Sequence, residues 1–196
     1  MLAVLRPAIV STIFFTLLLG VAYPLAVTGV GQALFPWQAG GSLVRSGGQV
    51  VGSALLGQNF ARPEYLHPRP SAAGTNGYDA SASSGSNLGP LNPDLIKREG
   101  DTAKTLGADR PGAPVPADAL TTSASGLDPH ITPDYAAFQV ARLAQARGVK
   151  ASQIEAVIAA NTEGRTFGIL GQPHVNVLKV NLALDARYPV RHLPAA

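Results

Sequence analysis

RPAIVSTIFFTLLLGVAYPLAVTGVGQALFP, Arg6 to Pro36, carries a single formal charge, at its first residue. From Pro7 to Val44 there is no Asp, Glu, Lys, Arg or His, and apolar residues are densest between Ala8 and Phe35. A helix rises about 1.5 Å per residue and needs roughly 20 residues to cross the hydrocarbon core, so this stretch is long enough to cross with tilt. A secretory signal would instead show an apolar core of about 7–15 residues followed by a small-x-small cleavage site. Here Val21-Ala22-Tyr23-Pro24 runs straight into a second apolar stretch. The reading is a retained transmembrane helix over residues 8–35, after a short N-terminal segment at 1–7 and before one soluble domain at 36–196.

Pro24 lies inside the span, removes a backbone donor and is expected to kink the helix. Gly20, Gly29 and Gly31 permit close approach of another helix without forming a strict GxxxG pair. Trp37, with Phe35 and Pro36, stands where an aromatic belt marks the far interface. Arg6 and the terminal amine lie before the span and the next cation, Arg45, well after it, which favours a cytoplasmic N-terminus and an outer domain.

The remaining composition sets limits. A chain of 196 residues is too short for a transporter built from repeated spans. Its net charge of +3 arises from 15 Lys and Arg against 12 Asp and Glu, with no clustered basic face of the kind nucleic acid requires. The absence of Cys removes disulfides, zinc thiolate sites and thiol catalysis.

Beyond the span, Ser42–Arg45 and Gln49–Gln58 flank Gly47-Gly48 and predict a hairpin, although the second run could equally begin a helix. Ser71 to Pro93 has the Ser, Ala, Gly and Asn content of a long loop. Asn92-Pro93 predicts a helix to about Leu106, largely solvated and anchored by Leu95, Ile96 and Leu106. Thr132-Pro133 predicts one helix through Arg147, ended by Gly148, with Phe138, Val140, Ala141, Leu143 and Ala144 as its apolar face. Gln139 and Gln145 read as its solvent-facing polar positions. Ser152 and Glu155 form a capping-box pattern for a further helix carrying Ile154, Val157 and Ile158. Val175–Leu184 reads as helix over its later part, ending near Tyr188-Pro189. The fold class is α+β, with more helix than strand.

Catalytic patterns are sparse. No Gly-x-Ser-x-Gly elbow, HExxH spacing or GxxxxGK[ST] loop occurs, and the histidines at 67, 130, 174 and 192 are scattered along the chain. Asp128 and His130 in SGLDPHITP are the best catalytic or metal candidates by residue type. A turn at Asp128-Pro129, with His130 just before the Thr132 cap, explains them more simply. A membrane-anchored outer hydrolase using a serine with Asp128 and His130 is the alternative reading.

Taken in order, the N-terminal segment, GSALLGQNF, RPSAAG, SGSNLGPLNP, TTSASGLDPHITPDYAAFQVARLAQARG and HVNVLKVNLALD resemble the C subunit family of the Kdp potassium-transporting P-type ATPase, over roughly residues 5 to 186. The resemblance implies a non-catalytic accessory subunit, single-pass in the cytoplasmic membrane of a bacterium, with its domain outside. It implies as partners a channel-like potassium-translocating subunit, the P-type ATPase catalytic subunit and a small single-span subunit, besides membrane lipid. ATP and potassium would be handled by the complex and no cofactor bound directly. A family proposal holds that this subunit raises the ATP affinity of the ATPase subunit, a role for which Gln139 is the position to test. Tyr23, Pro24 and Gln32 in the span, and the loops Ser86-Asn87-Leu88-Gly89-Pro90 and Gly126-Leu127-Asp128-Pro129-His130, are the residues expected to shape the domain or meet the channel-like partner.

Overall fold

A computed structural model describes residues 2–190; His192 and the end of the 36–196 segment lie outside them. The chain divides into two compact units that part between Ser53 and Ala54. The first opens with helix α1 (Leu2–Leu17), a π turn (Leu18–Ala22) and α2 (Tyr23–Leu34), so helix already covers residues expected to be a short tail. Ala3–Leu34, 32 residues, is long and apolar enough to cross a membrane. The defect expected at Pro24 takes the form of the π turn. Tyr23 N–H reaches back five residues to Leu18 O, and the widened turn lies immediately before a proline ring that an ordinary α turn would crowd.

A short helix, α3 (Pro36–Ala39), leads to strands β1 (Leu43–Ser46) and β2 (Gln49–Ser53), paired antiparallel with a register shift between Val44 and Arg45. Gly47 and Gly48 have φ of 56° and 83°, the conformation a two-residue hairpin turn demands. The second strand stops at Ser53 and continues as turn, not as helix. Trp37 Nε1 donates to Leu43 O at 3.1 Å, and Ser53 Oγ to Gly41 O at 2.8 Å, tying the hairpin to the end of α3.

The second unit begins with a stretch from Ala54 to Asn92 that holds no helix or strand. Helix α4 (Pro93–Asp109) follows, opened by Asn92, whose side chain accepts from Asp94 N. It buries no residue; Leu106 packs against the core, whereas Ile96, expected as an anchor, is 58% exposed. A 3-10 turn (Ala117–Ala119) precedes β3 (His130–Ile131), α5 (Pro133–Phe138), α6 (Val140–Arg147), α7 (Ala151–Ala160), β4 (Thr162–Glu163), β5 (His174–Asn176) and α8 (Val177–Arg187). The small sheet has order β3-β5-β4, antiparallel throughout. Its central strand carries Val175 into a core with Leu143, Ile154, Val157, Val180 and Leu184, all fully buried. The result is α+β and helix-rich, as expected.

Three expectations need correction. The single helix over 133–147 is broken at Gln139, whose N–H bonds to Ala136 O instead of sustaining the α repeat, and whose side chain turns inward. Ala141 is exposed, not part of the apolar face. The Ser152–Glu155 box is replaced by a pair two residues earlier, with Gln153 Oε1 accepting from Lys150 N and Gln153 N donating to Lys150 O. Thr132 does cap α5 by accepting from Tyr135 N, and Gly148 ends α6 at φ 66°.

Candidate functional site

The irregular stretch before α4 is held by side chains where regular ladders are missing. Asn181 Oδ1 accepts from Leu66 N at 2.7 Å and its Nδ2 donates to Leu66 O at 3.0 Å. Gln139 repeats the grip one residue on, accepting from His67 N at 2.8 Å and donating to His67 O at 3.0 Å. Arg142 donates to Tyr65 O at 3.0 Å, and Arg147 Nε donates to Glu64 O at 2.7 Å. Asn176 Nδ2 donates to Ala54 O at 3.0 Å, while its Oδ1 caps α8 at Lys179 N. Each amide or guanidinium satisfies backbone groups that burial would otherwise strand.

Gln139 is therefore not solvent-facing: it is 5% exposed, because a buried strand-like segment needs its amide more than water does. Gln145 is exposed, as expected. Beside Gln139, a cavity of ≈ 50 Å³ is lined by Tyr135, Arg142 and His67, room for a few waters. Burial, then the Arg142 guanidinium, holds His67 below its ordinary value, and burial pushes Tyr135 up to about 12.

The loops singled out in the sequence are knit to one another. Ser71 Oγ donates to Gly126 O at 2.6 Å and accepts from Tyr78 N at 2.8 Å. Ser84 N bonds Ser125 O at 3.0 Å, and Gly57 N bonds Leu127 O at 2.7 Å. Gly126, at φ 67°, has no room for a Cβ, which would meet Ser84 O at 2.6 Å and Ala73 N at 2.7 Å. Gly126, Leu127 and Pro129 are buried, while Asp128 and His130 are half-buried. Of Ser86-Asn87-Leu88-Gly89-Pro90, Ser86 and Leu88 are half-buried, while Asn87, at φ 52°, Gly89 and Pro90 are exposed. Tyr23, Pro24 and Gln32 are exposed on the apolar helix.

Asp128 forms the expected turn, its Oδ1 accepting from His130 N at 3.0 Å, and Arg69 lies 3.3 Å from its Oδ2. Burial opposes its ionisation, yet the His130 ring and N–H together with Arg69 outweigh burial and hold the carboxyl below its ordinary value. The histidines are less scattered than the sequence suggests. Antiparallel pairing of β3 on β5 brings His130 and His174 together, ring centroids 4.4 Å apart. The His130 ring has Asp128 on Nδ1 at 3.6 Å and the Asn176 amide on Nε2 at 3.3 Å, the position a nucleophilic serine would need. His174 meets Glu163 at 3.5 Å, whose carboxyl is held low first by its hydrogen bond from Lys179. Among the described residues no group of three or more His, Cys, Asp or Glu is placed to hold a metal ion.

Sequence reading overlooked Asn176, Asn181, Arg142 and Arg147. The two asparagines did leave a signal, as polar residues interrupting VNVLKVNLAL, and both are 1% exposed.

Residues 5–186 match the family described as KdpC: K+-transporting ATPase, c chain. A potassium-transporting ATPase KdpC subunit of Caulobacter sp. (strain K31) is 64% identical over 190 residues, 96% of each chain. The corresponding subunit of Beijerinckia indica subsp. indica is 57% identical over 196 residues, 99% of each chain. That of Myxococcus xanthus is 55% identical over 190 residues, 95% of this chain and 88% of the relative.

Proposed function

This chain belongs to the KdpC family of K+-transporting ATPase subunits, and from that premise we propose that its part in potassium uptake is structural and regulatory. It is a non-catalytic subunit that helps assemble and stabilise a channel-like potassium-translocating subunit, a P-type ATPase catalytic subunit and a small single-span subunit. The helix Ala3–Leu34 anchors it in the cytoplasmic membrane with the N-terminus inside and the second unit outside. Tyr23, Pro24 and Gln32 face the channel-like partner within the bilayer.

The observation that carries this reading is the use to which the family-like loops are put. Gly126, Leu127, Asp128 and His130 are bonded into the domain, and the His130 Nε2 position is taken by Asn176, so the Asp128–His130 pair has no serine at the nitrogen that would act as base. The cavity at Gln139, ≈ 50 Å³, lies far below the roughly 300–1,000 Å³ of ligand pockets. An outer domain, moreover, does not meet cytosolic ATP. Any effect on ATP affinity is therefore a coupling free energy passed through the conformational equilibrium of the complex.

A mild-detergent pull-down of the tagged chain from potassium-starved cells tests this. Recovery of a P-type ATPase and a multi-span potassium-handling protein in near-equal amounts is the expected result. Recovery of the chain alone, where those proteins are shown to be expressed, overturns it.

A further inference from the structure

Between β4 and β5 the chain leaves the domain surface. Every residue from Glu163 to Pro173 is exposed, and the run holds Phe167 at 89%, Ile169 at 74% and Leu170 at 57% exposure. The tip is nevertheless closed. Thr166 N donates to Leu170 O at 2.9 Å, Leu170 N to Thr166 O at 3.0 Å, and Gly168 N to Arg165 O at 3.0 Å. Phe167 sits at φ 54°, in the left-handed region where a bulky side chain is an outlier, just ahead of Gly168 and Gly171, each at φ 78°. Three large apolar side chains on a fixed turn, one of them in a disfavoured conformation, are the mark of a surface built to be covered.

We infer that this turn is a docking finger that seats Phe167 and Ile169 in an apolar socket with an electronegative rim, on the outer face of a membrane-embedded, cation-handling subunit of the same ATPase. The inference rests on the reading of the chain as an accessory subunit with its second unit outside. Two features choose this occupant over lipid. A bilayer is fluid and has no use for a fixed side-chain direction, whereas a shaped socket does, since preorganisation lowers the entropy lost on binding. The charge is also complementary. Arg165 is exposed at the base of the finger, held there by Gln172 Oε1 at 2.8 Å, while the one acid of the run, Glu163, is met by Lys179 at 2.7 Å and His174 at 3.5 Å. A protein that admits potassium gathers carbonyl and carboxylate oxygens along the ion's path. An aromatic anchor with a cationic flank is the composition that dominates such contacts.

The test uses the full chain in its native membrane. Phe167→p-benzoylphenylalanine is expressed with the other subunits, irradiated, and purified through a tag on a different subunit. The expected adduct joins position 167 to a multi-span subunit, with none from the exposed control Gln145→p-benzoylphenylalanine. In parallel, Phe167→Ser speeds loss of the chain from the purified complex about tenfold or more with its circular dichroism unchanged, and Phe167→Leu restores most of the retention. A recovered complex whose adducts at 167 are to lipid alone, or absent, overturns the finger and leaves the subunit reading standing. Failure of the unsubstituted chain to co-purify with expressed subunits overturns both.

Discussion

Asn181→Leu removes the two hydrogen bonds that hold Leu66 while keeping the heavy-atom count and branching of a side chain that is 1% exposed. Leu66 is fully buried, and neither its N–H nor its C=O has another partner among the described residues. Each orphaned buried group costs about 1–3 kcal/mol, and the added apolar surface returns about 1 kcal/mol, so the net loss is about 3 kcal/mol. For a domain near 150 residues that corresponds to a fall in Tm of about 6–12 °C. Far-UV circular dichroism melting of the full chain in detergent reads it, with the exposed Gln145→Leu as control. A double substitution with Gln139→Leu should cost less than the sum of the two, because His67 follows Leu66 directly and one detachment frees both. A loss below about 1 kcal/mol for Asn181→Leu would show that the amide grip does not hold the segment, and would refute the reasoning.

Gly126→Ala must place a Cβ against two backbone groups at φ 67° and should destabilise well beyond Gly148→Ala, whose left-handed residue opens on free space and loses only about 1–2 kcal/mol; paired melting curves compare them. Arg147→Lys should cost about 2 kcal/mol in urea unfolding, because a single ammonium does not reach Glu64 O, Tyr188 O and Asp185 together from a fully buried stem. His67 is held below its ordinary 6.5, so the fold favours the neutral ring: stability is complete above about pH 6.5 and declines as pH falls toward the depressed value, a decline that His67→Gln removes. Asp128 is likewise held low, so its contribution is present above its ordinary 3.8 and lost as pH falls through the lower folded value; Asp128→Asn should flatten that acid limb in pH-dependent unfolding.

What the sequence made legible was local. The apolar helix follows from length and missing charge, and the caps at Asn92, Thr132 and Gly148 follow from side chains that bond backbone two to four residues away or from a left-handed turn. Gln139 was misread because its partner, His67, is 72 residues distant, and a long-range amide-to-backbone pair leaves no periodic trace. The same holds for His130 and His174, which meet only through the register of β3 on β5. The capping box went two residues astray because Ser152 and Glu155 match the pattern by type, while the observed turn begins at Lys150 and uses Gln153. Asn176 and Asn181 were visible as anomalies, yet an anomaly in an apolar run does not say which backbone it serves.

The polar grips also bear on where a partner can bind. From Ala54 to Asn92 the chain has no ladder of its own, so its shape depends on Gln139, Arg142, Arg147, Asn176 and Asn181, which project from or flank helices packed on one core. A network of this kind is strong when complete and costly when one member is lost, which couples the loops to the helices in a single cooperative unit. Residues inside it, Gly126, Asp128 and His130 among them, are then poor candidates for direct recognition: substituting them changes the whole surface at once. Residues outside it carry no such burden. Asn87, Gly89 and Pro90 on one loop, and Arg165, Phe167 and Ile169 on another, are exposed and bear none of the grips that hold the segment. A substitution there that weakens the complex while the isolated chain melts normally would report on contact itself, whereas the same loss from Asp128→Asn would report first on folding.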